Sequence, residues 1–100
     1  MIYHIITDYG LLVIGEKYIK GRRYYEVLLD SIDRQAIWEE ANEDLMVQRD
    51  IFMDIAAQIQ ERLPDLEYEP TPFGVHFTGN FDGYLDHTGC EIKFARPEQA

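Results

Sequence analysis

Five carboxylates, Glu39, Glu43, Asp50, Asp54 and Glu61, recur at intervals of four, seven, four and seven residues. On a helix turning about 100° per residue, those intervals hold all five within about 40° of one line. The row therefore does not wander around the axis, and it extends about 33 Å at a rise of ~1.5 Å per residue. The chemistry available to such a row is electrostatic. Carboxylates spaced along a rod present charge much as nucleic-acid phosphates do, and can seat in the Lys/Arg-lined groove of another protein. Glu39/Glu43 and Asp50/Asp54 are like-charge pairs four residues apart, each costing a helix roughly 0.2–0.5 kcal/mol. A solvated face ordinarily mixes signs, whereas no Lys or Arg shares this stripe. Met46 and Val47 flank it, one on each side and off the apolar face. They suit the small apolar centre of an interface with a charged rim. The expected partner-binding set is thus Glu39, Glu43, Met46, Val47, Asp50, Asp54 and Glu61.

Other reactive residues carry weaker patterns. His76, His87 and Cys90, with Asp82 and Asp86 nearby, form the best metal-ligand set, and His87-x-x-Cys90 has ligand spacing. A structural zinc site needs four ligands, however, and a second Cys or His pair is missing. Asp86, His87 and Cys90 do not make a nucleophilic triad either, because adjacent side chains on a strand point to opposite faces. Ser31, the only serine, stands where a helix cap is needed. Gly79, Gly83 and Gly89 are too scattered for a phosphate loop. Asn80 to Gly83 resembles part of a calcium loop without its closing Glu. No catalytic residue, metal or cofactor is expected. Lys17, Lys20, Arg22 and Arg23, interleaved with Tyr18, Tyr24 and Tyr25, form the only basic cluster. Such a cluster can hold a single strand of nucleic acid, protect a hairpin from edge pairing, or meet the acidic stripe of a second copy.

Charge narrows these choices. The chain carries a net −10 over 100 residues. Residues 1–31 hold four acids and four bases, residues 32–66 nine acids and three bases, and residues 67–100 six acids and two bases. A surface so acidic repels phosphate, which excludes nucleic acid as the direct partner and favours a basic protein surface. Apolar residues at 46% are ample for one folded domain, expected over residues 1–96 with a frayed tail at 97–100. No apolar run reaches the roughly 18 residues that span a bilayer, and the N-terminus does not read as a signal peptide. With its single cysteine, Cys90, the chain is expected to be cytoplasmic.

The elements that must position the stripe follow from pattern. Ile2 to Thr7, Leu11 to Ile19 and Tyr24 to Leu29 are β-branched and aromatic, separated by Asp8-Tyr9-Gly10 and Lys20-Gly21-Arg22, which predicts an antiparallel meander. Gly15 suggests a bulge or bend in the second strand. Asp30 or Ser31 offers an N-cap, with Asp33 in the first helical turn. Ile37, Trp38, Ala41, Leu45, Phe52, Ile55, Ala56, Ile59 and Leu63 then follow a helical period over residues 32–63 until Pro64. Asn42, followed by Glu43 and Asp44, could cap a second helix, but the apolar arc keeps its phase and favours one continuous helix. Glu67 to Pro72 reads as a connector. Phe73 to Thr78, Tyr84 to His87 and Glu91 to Ala95 read as strands. The expected fold is α+β, in the order βββ-α-βββ, with one antiparallel sheet covered on one face by one long amphipathic helix.

In general character (small, acidic, α+β and without a catalytic motif) the chain resembles phage-type inhibitors of host defence systems and colicin-type immunity proteins. That likeness implies a non-enzymatic inhibitor of anti-restriction, anti-CRISPR or immunity type, acting as a nucleic-acid mimic on a nuclease or defence complex. The alternatives are a structural or assembly module, dimeric or not, whose acids serve solubility, and a small enzyme or metal protein using His76, His87 and Cys90.

Overall fold

In the computed structural model, which describes residues 1–94, the first three strands form as their composition predicts. β1 (Ile2–Thr7), β2 (Gly10–Ile19) and β3 (Arg22–Asp30) make an antiparallel meander. The first turn is tied by Thr7 Oγ1, which donates to the Gly10 carbonyl at 2.8 Å and accepts from the Tyr9 N–H at 3.1 Å. The second turn places Lys20 and Gly21 at φ 53° and 77°, the left-handed pair that a two-residue hairpin of right-handed twist requires. The bulge falls between Val13 and Ile14, two residues before Gly15, and the extra residue is Leu28 on β3. Gly15 lies beneath it, where an added Cβ would sit 3.0 Å from Leu28 Cδ1.

The helical segment is not continuous. α1 (Arg34–Glu40) and α2 (Leu45–Arg62) are separated by a reversal in which Asn42 and Glu43 both take positive φ, 53° and 59°. The Glu43 N–H donates to the Trp38 carbonyl at 3.1 Å, closing α1 as a left-handed C-terminal cap does. Asp44 then caps α2, accepting from the Met46 and Val47 N–H groups at 2.8 and 3.2 Å. Local capping thus overrides the shared apolar phase. At the start of α1, Asp33 is the cap, accepting from the Ala36 N–H at 3.0 Å. Ser31 instead bonds the backbone of Leu11, accepting from its N–H and donating to its carbonyl, both at 2.9 Å.

After α2 come four strands rather than three: β4 (Glu67–Thr71), β5 (Gly74–Thr78), β6 (Phe81–Asp86) and β7 (Gly89–Phe94), again an antiparallel meander. The expected connector is β4, an edge strand on which Pro70 is tolerated because one side of the strand needs no ladder donor. β6 and β7 begin three and two residues earlier than their alternation suggests, while β5 begins one residue later than expected, at Gly74.

The two meanders are separate sheets of three and four strands, which corrects the expectation of a single sheet. Their edge strands β3 and β7 lie side by side without a hydrogen-bonded ladder, and aromatic rings pack across one end of the seam. Tyr24 packs on Phe94 at 5.3 Å and Tyr25 stacks on Phe81 at 4.5 Å between ring centres. One core joins both sheets to the helices. It draws Ile5, Leu12, Ile14 and Tyr25 from the first sheet, Val75, Phe77, Phe81, Leu85 and Ile92 from the second, and Ile37, Phe52, Ile55, Ala56 and Ile59 from the helices.

Candidate interaction surface on the helices

The expected partner-binding residues all reach solvent, but from two helices and the link between them. Glu39 lies in the last turn of α1, Glu43 in the reversal, and Met46, Val47, Asp50, Asp54 and Glu61 on α2. Met46 and Val47 are 65% and 43% exposed. α2 places Phe52, Ile55, Ala56 and Ile59 inward, so Asp50, Asp54 and Glu61 project away from the core and keep the 3.6-residue alignment. Glu39 and Glu43 belong to the same acidic surface without continuing that line. The break also rephases the apolar face: Leu45 is exposed, while Gln48 is buried at 3%.

The fold adds carboxylates that helical periodicity cannot locate. The β1–β2 turn reaches the helices, so that Asp8, Tyr9, Ile51 and Asp54 line one shallow hollow. Burial raises the Tyr9 hydroxyl pKa, and the charges of Glu40, Asp8 and Asp54 push it the same way. Asp8 and Glu40 thus join Asp54 around one ring. Asp44, spent on capping, remains exposed as well.

The cations of the helical segment turn elsewhere. Arg34 donates through Nε to the Asp86 carbonyl at 2.6 Å and through Nη1 to Asp30 at 2.9 Å. Arg62 donates to the His4 carbonyl at 3.0 Å and lies over the Tyr3 ring. Only Arg49 approaches the stripe, 3.7 Å from Asp50.

The basic cluster is largely consumed by internal partners. Lys17 pairs with Glu26 at 3.0 Å, and the Arg22 guanidinium lies over Phe94. Arg23 turns to Asp65, which also accepts from the Tyr25 hydroxyl at 3.0 Å. Such a cluster offers little free charge to a phosphate backbone.

The remaining candidates are dispersed. His76 lies on the outer face of β5, between Asp82 at 2.9 Å and Glu69 at 3.3 Å, and these two hydrogen bonds raise its pKa. Cys90 stands opposite Leu85 on the inner face of the same sheet and packs against the core. Burial pushes its thiol up to about 12, far from a nucleophilic thiolate. His87 sits in the β6–β7 turn, edge-on to Phe73. The three are not brought together, and among the described residues no group of three His, Cys, Asp or Glu side chains converges as metal ligands would. Among the same residues no helix is long and apolar enough to cross a membrane.

Compared with protein-family models, curated proteins and solved structures, the chain has no significant match in any of the three.

Proposed function

We propose that the protein is a non-enzymatic inhibitor whose acidic helical face occupies the basic nucleic-acid groove of a nuclease or defence complex, of anti-restriction, anti-CRISPR or immunity type. One observation carries the reading: Asp8, Glu39, Glu40, Glu43, Asp50, Asp54 and Glu61 are all exposed, while Arg34 and Arg62 turn their guanidinium groups away. Of the helical arginines only Arg49 approaches the face, 3.7 Å from Asp50, and the other acids keep their charge uncompensated by it. Met46 and Val47 supply apolar contact beside the acids, as the dry centre of an interface with a charged rim requires.

The test is capture from a native host lysate followed by a salt titration. The wild-type chain should retain a basic nucleic-acid-binding protein, release it as salt rises, and displace nucleic acid from it. Glu43→Lys, Asp50→Lys and Asp54→Lys together should weaken capture by about 100-fold or more, since like-charge contacts cost several kcal/mol. A captured partner that binds the triple variant unchanged removes the acidic face from the interface.

A second reading, an assembly module, draws on a different observation: the outer face of the β1–β2–β3 sheet is apolar and uncovered.

A further inference from the structure

Residues directly opposite across an antiparallel pair share a face. With Ile5, Leu12 and Ile14 in the core, their alternates turn outward, and the register pairs Ile2 with Gly15, Ile6 with Leu11, and Val13 with Leu29. The bulged Leu28 lies on the same side, over Gly15. Ile6 is 81% exposed, Ile2 57%, Leu28 50% and Leu29 47%. The second sheet shows how this chain builds a solvated face. Its outer surface carries Glu69, His76, Tyr84 and Glu91 in one cross-strand row, beside Asp82 and Lys93. On the first sheet charged residues of this kind, Lys17 and Glu26, are confined to the hairpin end.

We infer that this face is the contact surface for a second copy of the chain, two three-stranded sheets packing face to face about a two-fold axis. Charge selects the occupant. Among the described residues of the face, Lys17 and Glu26 are joined at 3.0 Å and Arg22, opposite Ile19, lies at the hairpin end over Phe94, so the surface is close to neutral on a molecule of net −10. Two such molecules repel through their other surfaces and can approach through this one. A basic partner gains nothing from it. The area is also sufficient. The patch offers on the order of 500 Å² of apolar surface per copy, so a pair buries about 1,000 Å² before the rim is counted, the lower bound for a stable interface. Sheets that pack face to face lie about 10 Å apart with aliphatic side chains interdigitating between them, and Ile, Leu and Val supply those side chains. The competing route, strand addition at the β1 edge, is obstructed where Arg62 occupies the His4 carbonyl. This inference does not rest on the inhibitor reading. It predicts a particle with acidic helices on both outer surfaces.

Sedimentation equilibrium of the purified chain, without partner, tests it. The wild type should be a dimer at micromolar concentration, and added salt should leave the dimer unchanged or tighten it. Ile6→Lys with Leu28→Lys should dissociate it by at least 100-fold while keeping the far-UV circular dichroism of the fold. Leu28→Thr, which retains strand propensity, should give a smaller weakening of about tenfold and carries the test if the Lys pair fails to fold. Tyr84→Lys, on the outer face of the second sheet, should change nothing. A folded wild type that stays monomeric at 100-fold higher concentration overturns the inference. So does a dimer that survives in the folded Ile6 and Leu28 variants, dissociation by Tyr84→Lys, or growth beyond two copies.

Discussion

Removing the Asp65 carboxylate, by Asp65→Ala, should unlock the first sheet from the segment that follows α2. Asp65 accepts from the Arg23 guanidinium and, at 3.0 Å, from the Tyr25 hydroxyl, so it anchors two β3 residues from a position 40 or more residues away. Arg23 also lies over the Tyr25 and Phe81 rings at 5.6 and 5.9 Å. The guanidinium Nε is already buried without a partner, and the next carboxylate, Glu16, stands 3.9 Å away. Without Asp65 the charge keeps little compensation. Both bonds are to a charged group, and such a bond contributes ~1.5–3 kcal/mol where water is excluded and less where it is not. The Arg23 and Asp65 side chains are each 35% exposed, which places the ion pair in the lower half of that range. The expected loss is about 2–3 kcal/mol, or roughly 10–20 °C in Tm for a domain of this size.

Urea unfolding followed by Trp38 fluorescence and far-UV circular dichroism measures the loss. A double-mutant cycle with Arg23→Met isolates the pair, and its coupling should exceed about 1 kcal/mol. If Asp65→Ala changes stability by less than about 0.5 kcal/mol with no coupling, Arg23 is free in solution. The basic cluster would then have to be reconsidered as a surface for an external anion.

Two further outcomes follow from the backbone and from a histidine. Glu43→Gly should stabilise the fold by about 0.5–1 kcal/mol: the left-handed conformation costs a non-Gly residue ~1–2 kcal/mol, and the extra chain freedom of Gly returns part of it to the unfolded state. Guanidinium titration checks this, and a loss of stability would show that the Glu43 side chain contributes more than its backbone strain costs. His76 should titrate by NMR above its ordinary value of about 6.5, because Asp82 and Glu69 hydrogen-bond its ring, and Asp82→Asn should bring it down. A raised folded pKa means that its stabilisation is complete below the unfolded value and lost as pH climbs through the folded one. The stability difference between wild type and His76→Gln should therefore be fully present below the ordinary histidine value of about 6.5 and shrink as pH rises above it. A difference that grows with pH contradicts the ion pairing.

The strands of the first sheet were legible because β-branched runs and left-handed turn residues are local signals. The helix break was equally local, written in Asn42, Glu43 and Asp44, yet the apolar period from Ile37 to Leu63 concealed it. The reversal shifts the phase only enough to turn Leu45 outward and Gln48 inward, too small a departure for periodicity alone to separate one helix from two. β4 was hidden by Pro70, which is disfavoured in a strand unless that strand is an edge, and edges are set by tertiary pairing. The division into two sheets depends on how β3 and β7, segments distant in sequence, meet without pairing. Asp8 joined the acidic face for the same reason. The apolar outer face did leave a trace: β1 carries Ile at positions 2, 5 and 6, on both parities, which is how a strand covered on both sides reads.

The two proposed surfaces lie on opposite sides of the first sheet, and their physics separates them. The acidic helices gain chiefly from Coulomb attraction, with Met46 and Val47 adding apolar contact, and that attraction is screened over ~8 Å at physiological ionic strength, so contacts there weaken as salt is added. The neutral sheet face gains from apolar burial, which salt leaves intact or strengthens, and salt also relieves the repulsion between two chains of net −10. One salt titration therefore drives the two associations in opposite directions. Pairing through the sheets would also leave every acid on α1 and α2 exposed, because those helices pack on the inner side. A dimer would then present two acidic ridges at a fixed separation, and a partner with two basic grooves would bind it more tightly than the Ile6 and Leu28 monomer variant. Equal affinity of dimer and monomer for such a partner would show that the two surfaces act independently.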